Sequence, residues 1–576
     1  MDAVLAEFDR DGTQSVREVS RRVGVSRSTV HQLLQDEDFF FWGYLKTAVY
    51  ERPVQTREEA NITTVLECHG KRSEPLQIKR GVKQGDPMSG FLFNLTIDNL
   101  LRKLNQRNGL KIGESNVVAL AFADDIVIAA PTPTEMQAHI NIIEKFFEHH
   151  GLEANVEKCT ALQTLSVPGT KRLVVQTKPL LKISNRPVPV LCTANQLKYL
   201  GHKYTYSGVK APSPSNMEEM IARLAKSPLK PWQKLNVLQR YLIPKLHHGM
   251  QTIDVTKKKL QHIDRTIIKF VKATLHLPKT TPTAFIHAPL RGGGLGIPAL
   301  SLHIPAVYLR RLERLSIRGD SETKSALQTP VIQTTLTKLR RMLRDVNLAK
   351  KSAVQTFWTE QLHSSGLGAG LRATTPGVSS WIYDPPPVWK GRDYIGAINL
   401  RIGLLPTRGA PYMKHTDCRN ASCAGTRETL YHILQRCPVT HYNRINRHDN
   451  INKTLKESIQ KKGHKCEEAP RINTQSDRYI PDLIAIHEDT AYIIETTVSY
   501  ESKSNSISNA YAIKKEKYSK PEIAQKVKNM YNTSEVVVMP FVVGARGSWV
   551  ASNDAITQTF NLPRGLRETI CRAALQ

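Results

Sequence analysis

Two periods alternate along this chain. "FLFNLTIDNLLRKLNQ" places Leu92, Leu95, Leu100 and Leu104 on one helical face, and residues 135–150 repeat the pattern. Residues 216–275 and 300–350 read mainly as helix. Strand-like alternation marks "ITTVLECHG", "KRSEPLQIK" and "LKYLGHKYTY", while "VVALAFADDIVIAA" reads as strand, turn, strand. Further on, Leu483–Ile486 and Ala491–Ile494 form the strands of a predicted hairpin, with His487–Thr490 as its turn and a helix in "NAYAIKKEKYSK". At the N-terminus, Ser15 caps a helix carrying Val16, Val19 and Val23, Gly24 turns, and Ser26 caps a second helix with Val30, Leu33 and Leu34 inward. Arg27, Ser28 and His31 then face outward from the start of the second helix, where a recognition helix meets bases. The Gly-rich 366–370 and "DPPPVW" near 384 read as linker. No internal repeat is found.

Composition narrows the partners. The chain has 576 residues, enough for several domains, and is 40% apolar, so cores form and wholesale disorder is excluded. The net charge is +30, and residues 221–280 hold 13 Lys/Arg against Asp254 and Asp264. Such an excess draws phosphates, which release counterions when neutralised by Lys and Arg. No stretch of 18 apolar residues and no opening signal peptide occur, which argues against a membrane partner. Of the eight cysteines, three crowd into residues 418–437, a pattern that without a secretory signal reads as metal binding rather than disulfides.

Three places carry chemistry. Asp124 and Asp125 sit inside the apolar run "LAFADDIVIAA", where buried charges would call for a compensating Mg²⁺ or Mn²⁺. Phosphoryl transfer to a growing strand uses two such ions, and a metal site of that kind usually needs one more carboxylate. Gly81 and Gly85 in "GVKQGDPMSG" permit close approach of a nucleotide. Next, Cys418-x4-Cys423-x8-His432-x4-Cys437 matches a tetrahedral Zn²⁺ ligand set, with His415, His441 and His448 as nearby alternates. Last, Asp482 enters the first strand of the predicted hairpin and Glu495 lies near the end of the second. These two acids can converge on one metal, with Lys514, Lys517 and Tyr518 of the following helix within reach.

The order of these pieces resembles a known family. "GVKQGDPMSGFLFN", "FADD", "GLEANVEKC" and "KYLGHKY" in succession resemble the palm of a reverse transcriptase of the non-LTR retrotransposon class that ends in a restriction-enzyme-like endonuclease, over roughly residues 61–545. The resemblance implies that Asp124 and Asp125 bind metal, that Gln84 and Gly85 line the nucleotide site and that Lys158 assists the pyrophosphate side. The cysteine cluster is similar to the CCHC zinc knuckle of these elements, including the trailing "RINRHD". "RYIPDLIAIHEDTAYIIETTVSYE" resembles their PD-(D/E)xK endonuclease, which implies catalytic Asp482, Glu495 and Lys514 with Glu501 auxiliary. Residues 1–36 resemble the helix-turn-helix of mariner-type transposases, and "DFFFWGYLKTAVYERPVQTREE" resembles a segment from near their C-terminal end.

The expected architecture is therefore multidomain α+β. It comprises a helix-turn-helix (1–36), a transposase-like remnant (37–60), a partial reverse-transcriptase palm (61–210) and a basic helical thumb (211–290). A helical linker (291–400), a zinc knuckle (401–455), an α/β restriction-like endonuclease (470–545) and a C-terminal extension (546–576) follow. In the family another catalytic Asp lies upstream of the glycine loop, where this chain carries mariner-like sequence, so an N-terminally truncated palm with impaired polymerase activity is expected. The implied cofactors are Mg²⁺ or Mn²⁺ and Zn²⁺. The implied partners are target DNA, element RNA and dNTPs, and the implied location is the nucleus. Two other readings stay open: a non-catalytic nucleic-acid-binding protein, and a non-functional composite gene product.

Overall fold

The computed structural model describes most of residues 87–575 and short strands between 63 and 77. Outside the description lie residues 1–62, 65–66, 69–70, 78–86, 167–172, 253–254, 344–350, 374–377, 411–414 and 503–504, and single positions 73, 75, 424, 476 and 576. The helix-turn-helix with Arg27, Ser28 and His31 is therefore outside the described residues, as are Gln84 and Gly85. The chain forms two compact units. One holds the residues up to Arg107 with Ala119–Ile128 and Lys145–Glu153, and the other holds Asn108–Val118, Ala129–Glu144 and Ala154–Gln576.

In the first unit, helix α1 (Pro87–Asn105) buries Ile97, Leu100 and Leu104 along one stripe and Phe91 near its start. Strands β1 (Ala119–Phe122) and β2 (Asp125–Ile128) form a two-stranded hairpin in which Phe122 pairs with Asp125. Ala123 and Asp124 make the two-residue loop, and Ala123 sits at φ 52. Left-handed backbone costs a residue with a Cβ roughly 1–2 kcal/mol. The burial expected for the acids is not found. Asp124 and Asp125 are both exposed, and so are Leu120 and Phe122 at 59% and 65%. The reason is geometric: a tight loop closing a two-stranded hairpin turns its carboxylates outward, where water solvates them.

The second unit begins with hairpins and becomes helical. Helix α2 (Pro214–Lys226) is capped by Ser213 and buries Met217, Ile221 and Leu224. Helix α3 (Lys257–Thr274) is capped by the Thr256 side chain and buries Leu260, Ile263, Ile267, Phe270 and Val271. Asp264, on the same buried face, accepts the backbone N–H groups of Leu300 and Ser301 at 2.7 and 3.0 Å and so caps helix α4 (Leu300–Arg318). The outer faces of α2 and α3 leave Arg223, Lys226, Lys258, Arg265 and Lys269 exposed.

The stretch read as linker is instead core. Leu371, Trp381, Ile382, Trp389 and Tyr394 join Met217, Leu260, Phe270 and Ile304 in one cluster. Tyr394 donates to the Ile382 carbonyl at 2.7 Å, and Trp381 meets Trp389 edge to face. Pro and Gly prescribe irregular backbone; the aromatic residues between them decide that it is buried. Helix α5 (Gly391–Ile402) continues this core.

Helices α6 (Leu430–Gln435) and α7 (His441–Gln460) lead into a four-stranded sheet. Its order is β3 (Lys465–Glu468), β4 (Leu483–His487), β5 (Thr490–Ser499) and β6 (Glu535–Gly544). The first three strands are antiparallel, and β6 runs parallel to β5 after a crossover through α8 (Ser506–Tyr518) and α9 (Pro521–Tyr531). Both faces are covered, so β4 and β5 read as near-continuous apolar runs. Leu483, Ala485 and Ile494 pack with Ile451, Leu455 and Ile459 of α7. Ile484, Ala491 and Ile493 pack with Tyr518, Ile523 and Val527 of the crossover helices. The sequence beyond 545 belongs to this body: Ile556, Phe560, Ile570 and Cys571 fill the α7 side of the sheet, the last two on helix α10 (Gly565–Leu575).

Candidate functional site

The β4–β5 register sets the first constellation. Leu483 pairs with Ile494, so Asp482 falls directly across from Glu495. Side chains alternate along strands, so Glu495 shares the face of Ala491 and Ile493, toward α8. There Lys514 Nζ bonds Glu495 Oε1 at 2.8 Å, with Lys517 Nζ at 3.8 Å from the same oxygen. Glu495 Oε2 accepts the Asp482 N–H at 3.3 Å, and Asp482 Oδ2 accepts the Thr496 N–H at 2.8 Å. Glu495 is 5% exposed, so its charge is balanced inside the fold by the two lysines. Tyr518, buried beside them, donates to the Ile480 carbonyl. Burial first, and then the Glu495 charge, push its phenol above its ordinary range.

A residue that sequence reasoning offered only as an alternate zinc ligand stands here too. His448 of α7 places Nε2 3.3 Å from Asp482 Oδ2, with Nδ1 3.2 Å from Asp449 Oδ1. The hydrogen bond to Asp482 outweighs the desolvation of the ring and, with Asp449, pushes His448 up to about 9. The usable signal was its place in "RINRHD", on the helix face of Arg444. Glu501, expected as an auxiliary acid, is elsewhere. It is 1% exposed and both its carboxylate oxygens accept the Arg546 N–H, at 3.2 and 3.0 Å. The reason is the strand end: past Ser499 the chain turns inward over Gly544, where a Cβ would collide with Glu501.

The second constellation is the cysteine cluster. Sγ atoms of Cys418, Cys423 and Cys437 and a ring nitrogen of His432 all lie within 4.8 Å of one another. Among the described residues it is the group of three or more His, Cys, Asp or Glu side chains close enough to share an ion. Thr429 caps α6 by accepting the His432 N–H at 3.1 Å, which turns the imidazole toward the loop. Cys418 and Cys437 Sγ are 3.9 Å apart, and His432 Nε2 is buried without a partner. An orphaned ring nitrogen among three thiols fits a tetrahedral ion of the zinc type. His415 and His441 are exposed and outside the cluster.

The described palm residues fall in both units. Asp124 and Asp125 share the hairpin tip of the first unit without a third acidic side chain beside them among the described residues. Lys158, in the other unit, is exposed on the 3-10 turn Val156–Lys158 behind the Asn155 cap.

Comparison with known proteins assigns the class. The family model described as "Reverse transcriptase (RNA-dependent DNA polymerase)" matches residues 46–204, so this is a protein with a reverse-transcriptase domain. The chain is 36% identical over 455 residues to a "Retrovirus-related Pol polyprotein from type-1 retrotransposable element R2" of Popillia japonica, covering 78% of this chain and 94% of the relative. A second such polyprotein of Popillia japonica is 32% identical over 516 residues, 88% of this chain and 84% of the relative. The Pol polyprotein of the type-2 element R2DM of Drosophila melanogaster is 31% identical over 494 residues, 84% of this chain and 46% of the relative. The chain belongs to the family of R2-type Pol polyproteins of non-LTR retrotransposons. Among the described residues, no helix is long and apolar enough to cross a membrane.

Proposed function

We propose that this protein nicks DNA with a metal-dependent endonuclease centred on Asp482, Glu495 and Lys514, and that this site serves target-primed reverse transcription of element RNA. The observation that carries the reading is the cross-strand pair Asp482 and Glu495 with Lys514 Nζ 2.8 Å from Glu495. Bound Mg²⁺ or Mn²⁺ would supply an activated water and charge neutralisation at the scissile phosphate. Asp482 and Glu495 would hold the ion, since the hairpin register sets them directly across from each other. Lys514 and Lys517 bring positive charge to the oxygen that becomes negative as the phosphate is attacked.

Zn²⁺ at Cys418, Cys423, His432 and Cys437 orders a CCHC knuckle that presents Arg and Lys to nucleic acid. The exposed cations of α2 and α3 add a sequence-independent grip on phosphates. Arg27, Ser28 and His31 read DNA bases as a mariner-like helix-turn-helix. By the family resemblance, Asp124 and Asp125 would hold Mg²⁺, Gln84 and Gly85 would serve the dNTP, and Lys158 would assist the pyrophosphate side. Polymerase activity is impaired, because mariner-like sequence stands upstream of the glycine loop, where the family carries a further catalytic Asp. Target DNA, element RNA and dNTPs are the ligands, and the nucleus is the place of action.

The test is nicking of supercoiled plasmid by the full chain in Mg²⁺ or Mn²⁺. The parent nicks, and Asp482→Ala and Glu495→Ala do not, with gel-shift affinity retained. A parent that stays folded and fails to nick in either metal refutes the nuclease and leaves a nucleic-acid-binding protein.

A further inference from the structure

We infer that His448 is a positioning residue for the Asp482 carboxylate, held in place by the helix that follows the cysteine cluster; the inference rests on the nuclease reading of Asp482 and Glu495. Asp482 Oδ2 takes two donors, the Thr496 N–H at 2.8 Å and His448 Nε2 at 3.3 Å. With that oxygen tied down, the carboxylate plane is fixed and Oδ1 is the oxygen left to meet a divalent ion. The strand supplies one of the two donors from its own backbone. The other arrives from α7, the layer on the opposite side of the sheet, whose Ile451, Leu455 and Ile459 are buried against Leu483 and Ala485. The bond needs a hydrogen on Nε2, which the imidazolium and the Nε2–H tautomer of the neutral ring both carry. Nδ1 then has one of two partners: Asp449 Oδ1 at 3.2 Å accepts from the imidazolium, and Asn452 Nδ2 at 3.4 Å, one turn on, donates to the neutral ring.

The first half of α7 is also tied to the backbone around the last cysteine of the cluster. Arg444 donates to the carbonyls of Gln435 and Cys437, and Arg447 donates to the Leu434 carbonyl at 3.3 Å. Residues 444, 447 and 448 are spaced i, i+3 and i+4 and so share one helical face. The same face that grips the backbone around Cys437 therefore aims His448 at Asp482. Partners of this kind orient a ligand rather than bind the ion, and losing one typically lowers metal affinity or activity about 10–100-fold.

The experiment uses the full chain and two readouts: Mn²⁺ binding followed by electron paramagnetic resonance, and the Mg²⁺ dependence of plasmid nicking. The Mn²⁺ taken up by the parent and lost in Asp482→Ala defines the site. His448→Ala should weaken that Mn²⁺ binding and raise the Mg²⁺ concentration for half-maximal nicking, each about tenfold. Gel-shift affinity and the melting temperature should stay near the parent's. His448→Gln, whose Nε2 can still donate to Oδ2, should recover most of the loss. A His448→Ala protein with the parent's Mn²⁺ affinity and Mg²⁺ profile overturns the inference while Asp482 keeps its role. If Asp482→Ala itself changes neither readout, the nuclease reading falls and the inference with it. If His448→Ala unfolds, the comparison of His448→Gln with His448→Asn decides: equal Mn²⁺ affinities, with no advantage for the donor that reaches Oδ2, count against it.

Discussion

Lys514 Nζ lies 2.8 Å from Glu495 Oε1, although the two residues are on different elements and 19 positions apart. The strand buries Glu495, and the crossover helix returns a lysine to it. Removing that lysine leaves the carboxylate with the more distant Lys517, 3.8 Å away, as its positive partner and the Asp482 N–H as a donor. Lys514→Ala should cut nicking by about 10²–10³, the loss that follows removal of one preorganised charge-stabilising group. Lys514→Arg should not restore it, because a planar guanidinium does not reproduce a point charge on a flexible stem. Single-turnover nicking rates at saturating Mg²⁺ check both.

Glu501 separates a structural acid from a catalytic one. It sits by the Arg546 N–H, and Arg401 and Arg447 both feel its charge. Arg401 is itself fully buried and donates to the carbonyls of Arg546 and Gly547. Removing one member of such a buried charge group costs about 3–5 kcal/mol. Glu501→Ala should therefore lower the thermal midpoint far more than Glu495→Ala does. Differential scanning calorimetry of the two variants gives the answer, and equal midpoints contradict it.

The cysteine cluster should hold one equivalent of Zn²⁺ in the purified chain. Cys437→Ser should lose it, since an ion left with three of four ligands binds far more weakly. Because α7 is anchored on carbonyls of this loop, chelation should also lower the melting transition of the C-terminal body. Metal analysis with a melting curve before and after chelation tests the pair.

The palm should give the opposite result from the nuclease. On a poly(rA)-oligo(dT) substrate, primer extension should be weak or absent, and Asp124→Ala should change little. Losing a member of a catalytic set that acts as a unit costs orders of magnitude. Robust Mg²⁺-dependent synthesis that Asp124→Ala abolishes would show the palm is complete.

Binding to DNA should fall steeply with salt. Each phosphate neutralised contributes a slope of about −0.9 in log K against log salt. Charge reversal at Lys258, Arg265 and Lys269, all exposed on α3, should flatten that slope without altering the Mg²⁺ dependence of nicking. A titration of gel-shift affinity across salt concentrations measures it.

The sequence by itself determined the elements and the chemistry-bearing positions. Two short apolar runs around a polar turn marked the hairpin that carries Asp482 and Glu495, helical spacing marked α1, and the cysteine spacing marked a ligand set whose atoms lie together. These are local features: a hairpin register or a capped turn is fixed within a few residues. Only the tertiary structure decided which layer each element joins. It turned Asp124 and Asp125 out to water, drew Trp381 and Trp389 into the helical core, and folded residues 556–571 beneath the sheet. It also sent Glu501 to Arg546 and brought His448 to Asp482, 34 positions apart. Burial and long-range hydrogen bonds depend on what arrives from elsewhere in the chain, and a pattern read a few residues at a time carries no record of it.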